Sequence, residues 1–492
     1  MGKIADEIRP FFEPRSIAVV GASTNPAKPG YNVFYNLAEN KRKGLLEAEL
    51  YPVNPRAREV MGFECYPSLK EVPGPVELVV VVVPAKLVPR VMEEAGLKEA
   101  RAAIIISSGF SEVGNKELEE EVVRVGREFG IRILGPNCVG VFDPYTGVDT
   151  VFLPLRKSLP TGEEMESAPK PPRGRISMIT QSGAFGVASL DYMAGHGMGI
   201  SRFVSLGNKC DLDETDFLEF LGEDGRTDVI LLYVEDIRDG RRFMEVARRT
   251  TPHKPVVVLK AGWSSAGSRA VMSHTGAMAG SDEVYEAAFR QCGVLRARTM
   301  EEFFSMGKAL SMQPPARGPR VAIITNAGGP GVMTVDACEA RGLVVPELPG
   351  DTKARLEALV REGKLPEFAS IGNPIDLTVS VTDEMFKLAT EVIIEDPNID
   401  GVIILGLHHP PGLRGDYVEA IAELARRSDK PVVACDIGGA DMAFHVRKLF
   451  DEKGIPAFES PEGAAAAMWA LYACGLIRAR ATGSGPQDLK SL

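Results

Sequence analysis

An α/β protein built from three parallel-sheet domains is what this sequence predicts, and three observations carry the prediction. At 492 residues the chain is too long for one core, and ordinary domain size gives about three. Short apolar runs recur along it, each ending in Gly, Ser, Asn or Pro and each followed by a helix-length stretch. After residue 174, and again after residue 319, the chain restarts with a nearly matching strand, small-residue loop and helix.

Composition excludes several classes of function. Hydrophobic content of 45% and charged content of 25% are those of an ordinary soluble globular protein. A formal charge of −11 offers no basic field for nucleic acid or an anionic membrane, although local loops can still hold phosphate. The seven cysteines are scattered singly with no C-x-x-C, which reads as reduced thiols and neither a disulfide nor a metal framework. Acids occupy Met1-Gly2-Lys3-Ile4-Ala5-Asp6-Glu7, where a secretory signal needs a cationic start and an apolar run. The longest apolar run, Leu78 to Ala85, is far short of a membrane span. A cytoplasmic protein is expected.

The first domain is expected over residues 1–150. Ser16-Ile17-Ala18-Val19-Val20 reads as a buried parallel strand, followed by Gly21-Ala22-Ser23, then Pro26, Lys28 and Gly30, then a helix from Tyr31 to Asn40. Further strands are expected at Ala48–Val53, Leu78–Val83, Ala103–Ser107 and Arg132–Leu134. Each runs into a loop: Asn54-Pro55, Pro84-Ala85, Ser107-Ser108-Gly109 and Gly135-Pro136-Asn137-Cys138. Ligands of open α/β sheets bind at such carboxyl-end loops. The G-x-G-x-x-G dinucleotide fingerprint fails, because Ser23 and Pro26 stand where glycines are required. This points to a Rossmann-like domain for a phosphorylated nucleotide other than NAD. Lys28 suits a phosphate partner and a solvated surface lysine equally.

A Pro-, Gly- and charge-rich linker is expected over 151–174, a second over 313–319, and a tail over 481–492. The intervening domains, 175–312 and 320–480, read as two flavodoxin-like copies. Arg175-Ile176-Ser177-Met178-Ile179-Thr180-Gln181-Ser182-Gly183 parallels Arg320-Val321-Ala322-Ile323-Ile324-Thr325-Asn326-Ala327-Gly328. Lys254-Pro255-Val256-Val257-Val258 parallels Lys430-Pro431-Val432-Val433-Ala434. Each copy opens with a helix whose N-terminus can bind phosphate, at Ser182-Gly183-Ala184 and at Gly328-Gly329, or can simply pack a tight turn.

The copies differ where chemistry is expected. Aligning Asp228–Glu235 with Gly401–His408 sets Glu235 opposite His408. Ser273-His274-Thr275-Gly276-Ala277 occurs only in the first copy and reads as a loop before a helix starting near Ala277. A carboxylate that accepts from one imidazole nitrogen leaves the other free as a nucleophile, so Glu235 and His274 form a candidate pair. The alternative for Glu235 is a solvated strand-end carboxylate, and for the histidine a helix-capping turn.

Taken in order, Val20-Gly21-Ala22-Ser23, Gly135-Pro136-Asn137-Cys138, Gln181-Ser182-Gly183-Ala184, Glu235 and Ser273-His274-Thr275-Gly276-Ala277 make the chain resemble a known family. It is the α subunit of the ADP-forming (NDP-forming) acyl-CoA synthetases, acid–thiol ligases of archaea related to succinyl-CoA synthetase. The resemblance implies an N-terminal domain that binds coenzyme A, a transiently phosphorylated His274 and Glu235 as its partner. It implies phosphate held at Ser182, Gly183, Ala184, Gly328 and Gly329. It also implies CoA contacts from Gly21, Ala22, Ser23, Lys28, Asn54, Pro84, Ser107, Gly109 and Asn137. A separate ATP-grasp β subunit would carry ADP/ATP and Mg, in an α2β2 heterotetramer. Acyl group stays open among acetyl, branched-chain and aryl, and the competing class is a non-catalytic, regulatory CoA-binding protein of the same fold.

Overall fold

The computed structural model describes the backbone of residues 3–275 and 281–484, and the side chains of these residues except 3 and 272–275. The chain divides into two compact units, residues 1–250 with 258–288 and residues 251–257 with 289–492.

In the first unit, five parallel strands form one sheet in the order Glu49–Val53, Ser16–Val20, Leu78–Val81, Ala102–Ile105, Arg132–Leu134. The strands are Val- and Ile-rich without alternation because helices cover both faces. Leu78-Val79-Val80-Val81 is buried at every position. In chain order the strands lie 2-1-3-4-5, so the sheet reverses direction of growth between Ser16–Val20 and Leu78–Val81. Val20 stands level with Val53 and Val81, which places the loops beginning at Gly21, Asn54 and Val82 together on one edge. Such a reversal point is where open sheets bind ligands.

The second sheet repeats the same order for its first strands. Arg173–Thr180 lies between Ile200–Ser205 and Val229–Val234, with Val256–Lys260 next to the latter. One finding departs from the expected boundary at 150. Gly140–Asp143 pairs antiparallel with Ile200–Ser205, and Val148–Asp149 pairs with Gly140–Asp143. These residues therefore leave the first sheet and finish the edge of the second. Gly140, at φ +96°, makes the crossing, because a Cβ there would lie 2.1 Å from Thr150 Oγ1. Nor is the stretch expected to be a linker without structure: Arg156–Ser158 and Glu164–Glu166 form a small exposed antiparallel hairpin, with Arg156 opposite Glu166.

The second unit holds a third sheet, whose parallel strands run Ile375–Asp376, Val321–Thr325, Gly401–Leu405, Val432–Cys435, Ala457–Phe458. The 2-1-3-4-5 order recurs, as the duplication requires. The helix Pro461–Ala481 packs against the helices Met300–Met312 and Gly328–Glu339, burying Ala464-Ala465-Ala466-Ala467 completely. The contact is close because Gly475 has no side chain: a Cβ would stand 2.0 Å from Ala316 O. Among the described residues no helix is long and apolar enough to cross a membrane.

Register corrects one correspondence between the copies. Thr180 pairs with Tyr233, and Thr325 pairs with Leu405. Glu235 therefore matches Leu407, and Asp236 matches His408. The sequence alignment of these apolar strands is out by one residue, since neighbouring Val, Ile and Leu positions are interchangeable by eye.

Candidate functional site

The carboxyl edge of the first sheet is built by glycine and asparagine. Gly21 takes φ +99°, and a Cβ on it would stand 2.2 Å from Val82 O. Gly30 lies in the first turn of the helix Pro29–Arg42, where a Cβ would be 2.0 Å from Gly21 O. The helix start is thus pressed on the strand end, and its opening amides lie beside the loop. Asn54 donates its amide to Ala22 O at 2.7 Å, while Ser23 Oγ accepts from Asn25 N at 3.0 Å. Lys28 is the helix N-cap, exposed and without a side-chain cap bond.

The remaining loops on this edge are equally defined. Ser107 Oγ donates to Val83 O at 2.6 Å and accepts Val83 N–H at 3.2 Å, so the hydroxyl ties two strand ends together. Pro84 begins the short turn Ala85–Leu87. Gly109, at φ +112°, donates its N–H to Glu112 Oε1 at 2.5 Å. Asn137, at φ +57°, donates its N–H to Ser107 O at 2.9 Å.

The loop after Ile200–Ser205 is zipped to this edge. Asn208 N donates to Pro136 O at 2.9 Å, and Cys210 N to Gly135 O at 3.1 Å. Asn208 also spends its side-chain amide on Glu112 Oε2 at 2.6 Å and Glu119 Oε2 at 2.9 Å. Between the two sheets lies a cavity of about 770 Å³, lined in part by Asn137, Ser182, Gly183, Ala184 and Glu235. Five residues named from sequence therefore share one cavity.

The helix Gly183–Gly195 opens into this cavity. Ser182 caps it, accepting Phe185 N–H at 3.3 Å, and a Cβ on Gly183 would stand 2.8 Å from Val139 Cγ2. Across from it the Glu235 backbone N–H reaches Gln181 Oε1 at 2.7 Å, and Asp236 N–H reaches the same oxygen at 3.1 Å. Glu235 is only 5% exposed, so it is no solvated strand-end carboxylate. Burial, with a contribution from the Glu235 charge, pushes the neighbouring Tyr233 phenol up to about 12.

Beneath Glu235 lies a buried charge cluster. Lys209, at φ +57°, places Nζ 3.0 Å from Glu214 Oε2 and 3.0 Å from both Asp236 Oδ1 and Asp236 O. Burial raises the Glu214 carboxyl to about 6, against the pull of Lys209. Burial also works to raise Asp236, but Lys209 and the bond from Gln181 outweigh it and hold Asp236 below the usual carboxylate range. Arg238 closes the cluster with bonds to Lys209 O at 2.6 Å and Asn208 O at 2.9 Å. Cys138 lines the cavity too, but burial pushes its thiol up to about 12, which removes thiolate chemistry near neutral pH.

In the second unit the helix Gly328–Glu339 starts after Ala327, whose N–H bonds Thr325 Oγ1 at 3.0 Å in place of a side-chain cap. Nothing crowds Gly329, whereas a Cβ on Gly328 would lie 3.0 Å from Asp376 Oδ2. Asn326 exchanges two hydrogen bonds with the Leu407 backbone, at 2.8 and 2.9 Å. Gln181 likewise accepts the Glu235 N–H, in keeping with the corrected correspondence, but its amide nitrogen goes to the Asp236 carboxylate and not to the Glu235 carbonyl.

Three families cover this architecture in sequence: a CoA binding domain over residues 15–144, a succinyl-CoA ligase like flavodoxin domain over 173–310 and a ligase-CoA domain over 321–480. The chain is 40% identical over 469 residues to Acetate--CoA ligase (ADP-forming) II subunit alpha of Pyrococcus furiosus, covering 94% of this chain and 96% of that one. The chain belongs to the ADP-forming acetate–CoA ligase alpha subunits. A solved relative, the dinucleotide forming acetyl-coenzyme A synthetase 1 of Ca. Korarchaeum cryptofilum in complex with phosphate and ADP, superposes with a TM-score of 0.86 at 35% identity. The match covers 97% of this chain and 98% of that one. Acetate--CoA ligase (ADP-forming) I of Archaeoglobus fulgidus is 38% identical but longer, and this ligase subunit spans 64% of its length.

Not every residue of this ligase subunit expected at the site is placed. The backbone of His274 belongs to the helix Ser265–Thr275, not to a loop before a helix at Ala277, while its side chain and residues 276–280 lie outside the described residues. The overlooked signal is Ser264, whose Oγ accepts Gly267 N–H at 3.0 Å and starts the helix early. Sequence reasoning also missed Lys209, Asp236 and Arg238. It quoted Gln181 within a motif without giving it a role.

Proposed function

We propose that this chain is the α subunit of an ADP-forming acyl-CoA ligase, most simply an acetyl-CoA ligase, which converts acyl-CoA, ADP and phosphate into carboxylic acid, CoA and ATP. The observation that supports it is one cavity lined by the loops that follow Ala102–Ile105 and Arg132–Leu134, by the Gly183 helix start and by the buried Glu235. CoA lies along Gly21, Ala22, Ser23, Lys28, Asn54, Pro84, Ser107, Gly109 and Asn137. Of these, Ser107 acts by shaping its loop, because its hydroxyl already serves Val83.

Phosphate held at Ser182-Gly183-Ala184 attacks the thioester carbonyl, the C–S bond breaks, and the thiol takes the proton released. The imidazole of His274 then attacks phosphorus of the acyl phosphate, the bond to the acyl oxygen breaks, and the carboxylate leaves. Glu235 stabilises the charge that forms on the ring. Phosphohistidine finally gives its phosphoryl group to ADP. Each helix N-terminus, at Gly183 and at Gly328-Gly329, favours the anion by up to ~2 kcal/mol in a partly buried setting.

ADP and Mg belong, in this reading, to an ATP-grasp β subunit, with an α2β2 assembly. The two Pyrococcus relatives carry the words subunit alpha in their names, and the longer single-chain relatives leave room for a further part. Mixing the chain with an ATP-grasp β subunit, acetyl-CoA, ADP and phosphate should yield ATP and free CoA in equal amounts. Binding of CoA with no ATP formed would leave only a CoA-binding protein.

A further inference from the structure

The motifs leave the acyl group open, and the wall of the cavity in the first unit bears on it. Among the described residues that wall is mostly polar. Its apolar side chains are Ile106, Val139 and Phe152, with the Cys138 thiol beside them. An aliphatic acyl group gains from burial only against surface of this kind.

Val139 stands at the decisive place among these. It follows Asn137 by two residues, and Asn137 is tied to the first sheet by its N–H bond to Ser107 O at 2.9 Å. Val139 donates its own N–H to Ser205 Oγ at 3.2 Å, at the end of a strand of the second sheet. Its side chain lies against the helix start: a Cβ on Gly183 would stand 2.8 Å from Val139 Cγ2 and 3.8 Å from Ser205 Oγ. Val139 is 6% exposed, and Gly140, at φ +96°, turns the chain away immediately after it. Residues 137–139 therefore run from a loop assigned to CoA to the turn assigned to phosphate, with the Val139 isopropyl group at the phosphate end.

The chemistry sets where the acyl group must lie. A phosphate oxygen has to come within about 3–3.5 Å of the thioester carbonyl carbon before it can attack. With CoA passing Asn137 and phosphate at Ser182-Gly183-Ala184, that carbon lies between them, beside Val139. The acyl chain begins there, so its first carbons meet the Val139 methyl groups. Less than the width of a methyl group separates Cγ2 from the turn, because even a Cβ on Gly183 would be crowded. A branched or aryl acyl group finds no room on that side.

We propose that Val139 is a specificity-determining residue of this ligase, its isopropyl group limiting the acyl group to a short unbranched aliphatic chain such as acetyl or propionyl. The inference rests on reading Ser182-Gly183-Ala184 as the phosphate turn of an acyl-CoA ligase, and it names the substrate class of that same site.

The test is competition between acyl-CoAs in single mixtures of the assembled α and β subunits with ADP and phosphate. The ratio of two kcat/KM values measured this way does not depend on how much of a variant is folded. Val139→Ala should raise the ratio of isobutyryl-CoA to acetyl-CoA by at least about tenfold, the lower end for pocket space of one methylene. Val139→Ile should lower the ratio of propionyl-CoA to acetyl-CoA, and CoA affinity should stay near that of the parent in both. An unchanged ratio in Val139→Ala, with acetyl-CoA still converted, overturns the role of Val139 and leaves the ligase reading standing. Loss on every acyl-CoA alike, partial or complete, makes Val139 a structural residue and overturns the proposal as well. A parent complex that prefers isobutyryl-CoA to acetyl-CoA does the same. A parent complex that forms no ATP from any acyl-CoA overturns the ligase reading and this inference together.

Discussion

Gln181 Oε1 accepts the backbone N–H of Glu235 at 2.7 Å, so the residue just ahead of the Gly183 helix cap sets the position of the strand-end carboxylate. The same oxygen takes Asp236 N–H, and the amide nitrogen bonds Asp236 Oδ1. One side chain thereby holds a candidate phosphate-binding turn against the carboxylate assigned to the histidine. Replacing it by Leu leaves two backbone N–H groups unmet at a nearly buried place, a cost of about 1–3 kcal/mol each at most. Gln181→Leu should lower the unfolding temperature and slow ATP formation at least tenfold, with CoA affinity within twofold of the parent. Equal losses of turnover and CoA affinity would assign Gln181 to general stability alone.

Glu235→Gln tests the carboxylate itself. The amide fits the buried space but no longer stabilises a charged imidazole, so phosphohistidine formation should fall by about 10²–10³, the range for loss of one electrostatic contact at a reacting centre. CoA should bind as before. Labelling at the parent rate would remove Glu235 from the chemistry.

The Lys209 cluster predicts a pH signature. The Glu214 carboxyl is raised in the fold to about 6 from 4.5, so between those values the folded protein holds more protons than the unfolded chain. Stability from this group is therefore present at low pH and lost as pH rises through the window, by roughly 2 kcal/mol. Asp236, held low, acts oppositely: its contribution is present above the ordinary carboxylate range and is lost as pH falls. Glu214→Gln should flatten the stability profile between about pH 4.5 and 6 relative to the parent in urea titrations. Lys209→Met should cost about 3–5 kcal/mol near neutral pH, because two buried carboxylates lose their cation.

Gly30 predicts a defect in CoA binding. A Cβ there would meet Gly21 O at 2.0 Å, which is backbone and cannot rotate away. Gly30→Ala should push the helix Pro29–Arg42 off the strand end and weaken CoA binding more than tenfold by equilibrium dialysis. Unchanged affinity would separate this helix start from the CoA loops.

Much of the fold was legible because it repeats simple local signals. Leu78–Val81 and Val321–Thr325 are apolar at nearly every position and run straight into turn residues, as doubly covered strands do. Gly140–Asp143 and Val148–Asp149 were not legible, since runs of four and two residues acquire meaning only by pairing with Ile200–Ser205 far along the chain. The pairing of Glu235 with His408 failed for a related reason: apolar strands slide past each other in an alignment until hydrogen bonds set the register. Lys209 looked like any loop lysine. Its partners Glu214 and Asp236 come together only in three dimensions, and burial, which decides their behaviour, leaves no mark on the residue letters. The motif around Gln181 was visible, whereas its work as a brace was not.

The most direct measurement is acid-labile labelling of the assembled α and β subunits with acetyl-CoA and radioactive phosphate in the absence of ADP. The α chain should take up label that is lost in acid and chased into ATP when ADP is added, and His274→Ala should take up none. Acid-labile label persisting on the His274→Ala chain would contradict His274 as the phosphoryl acceptor.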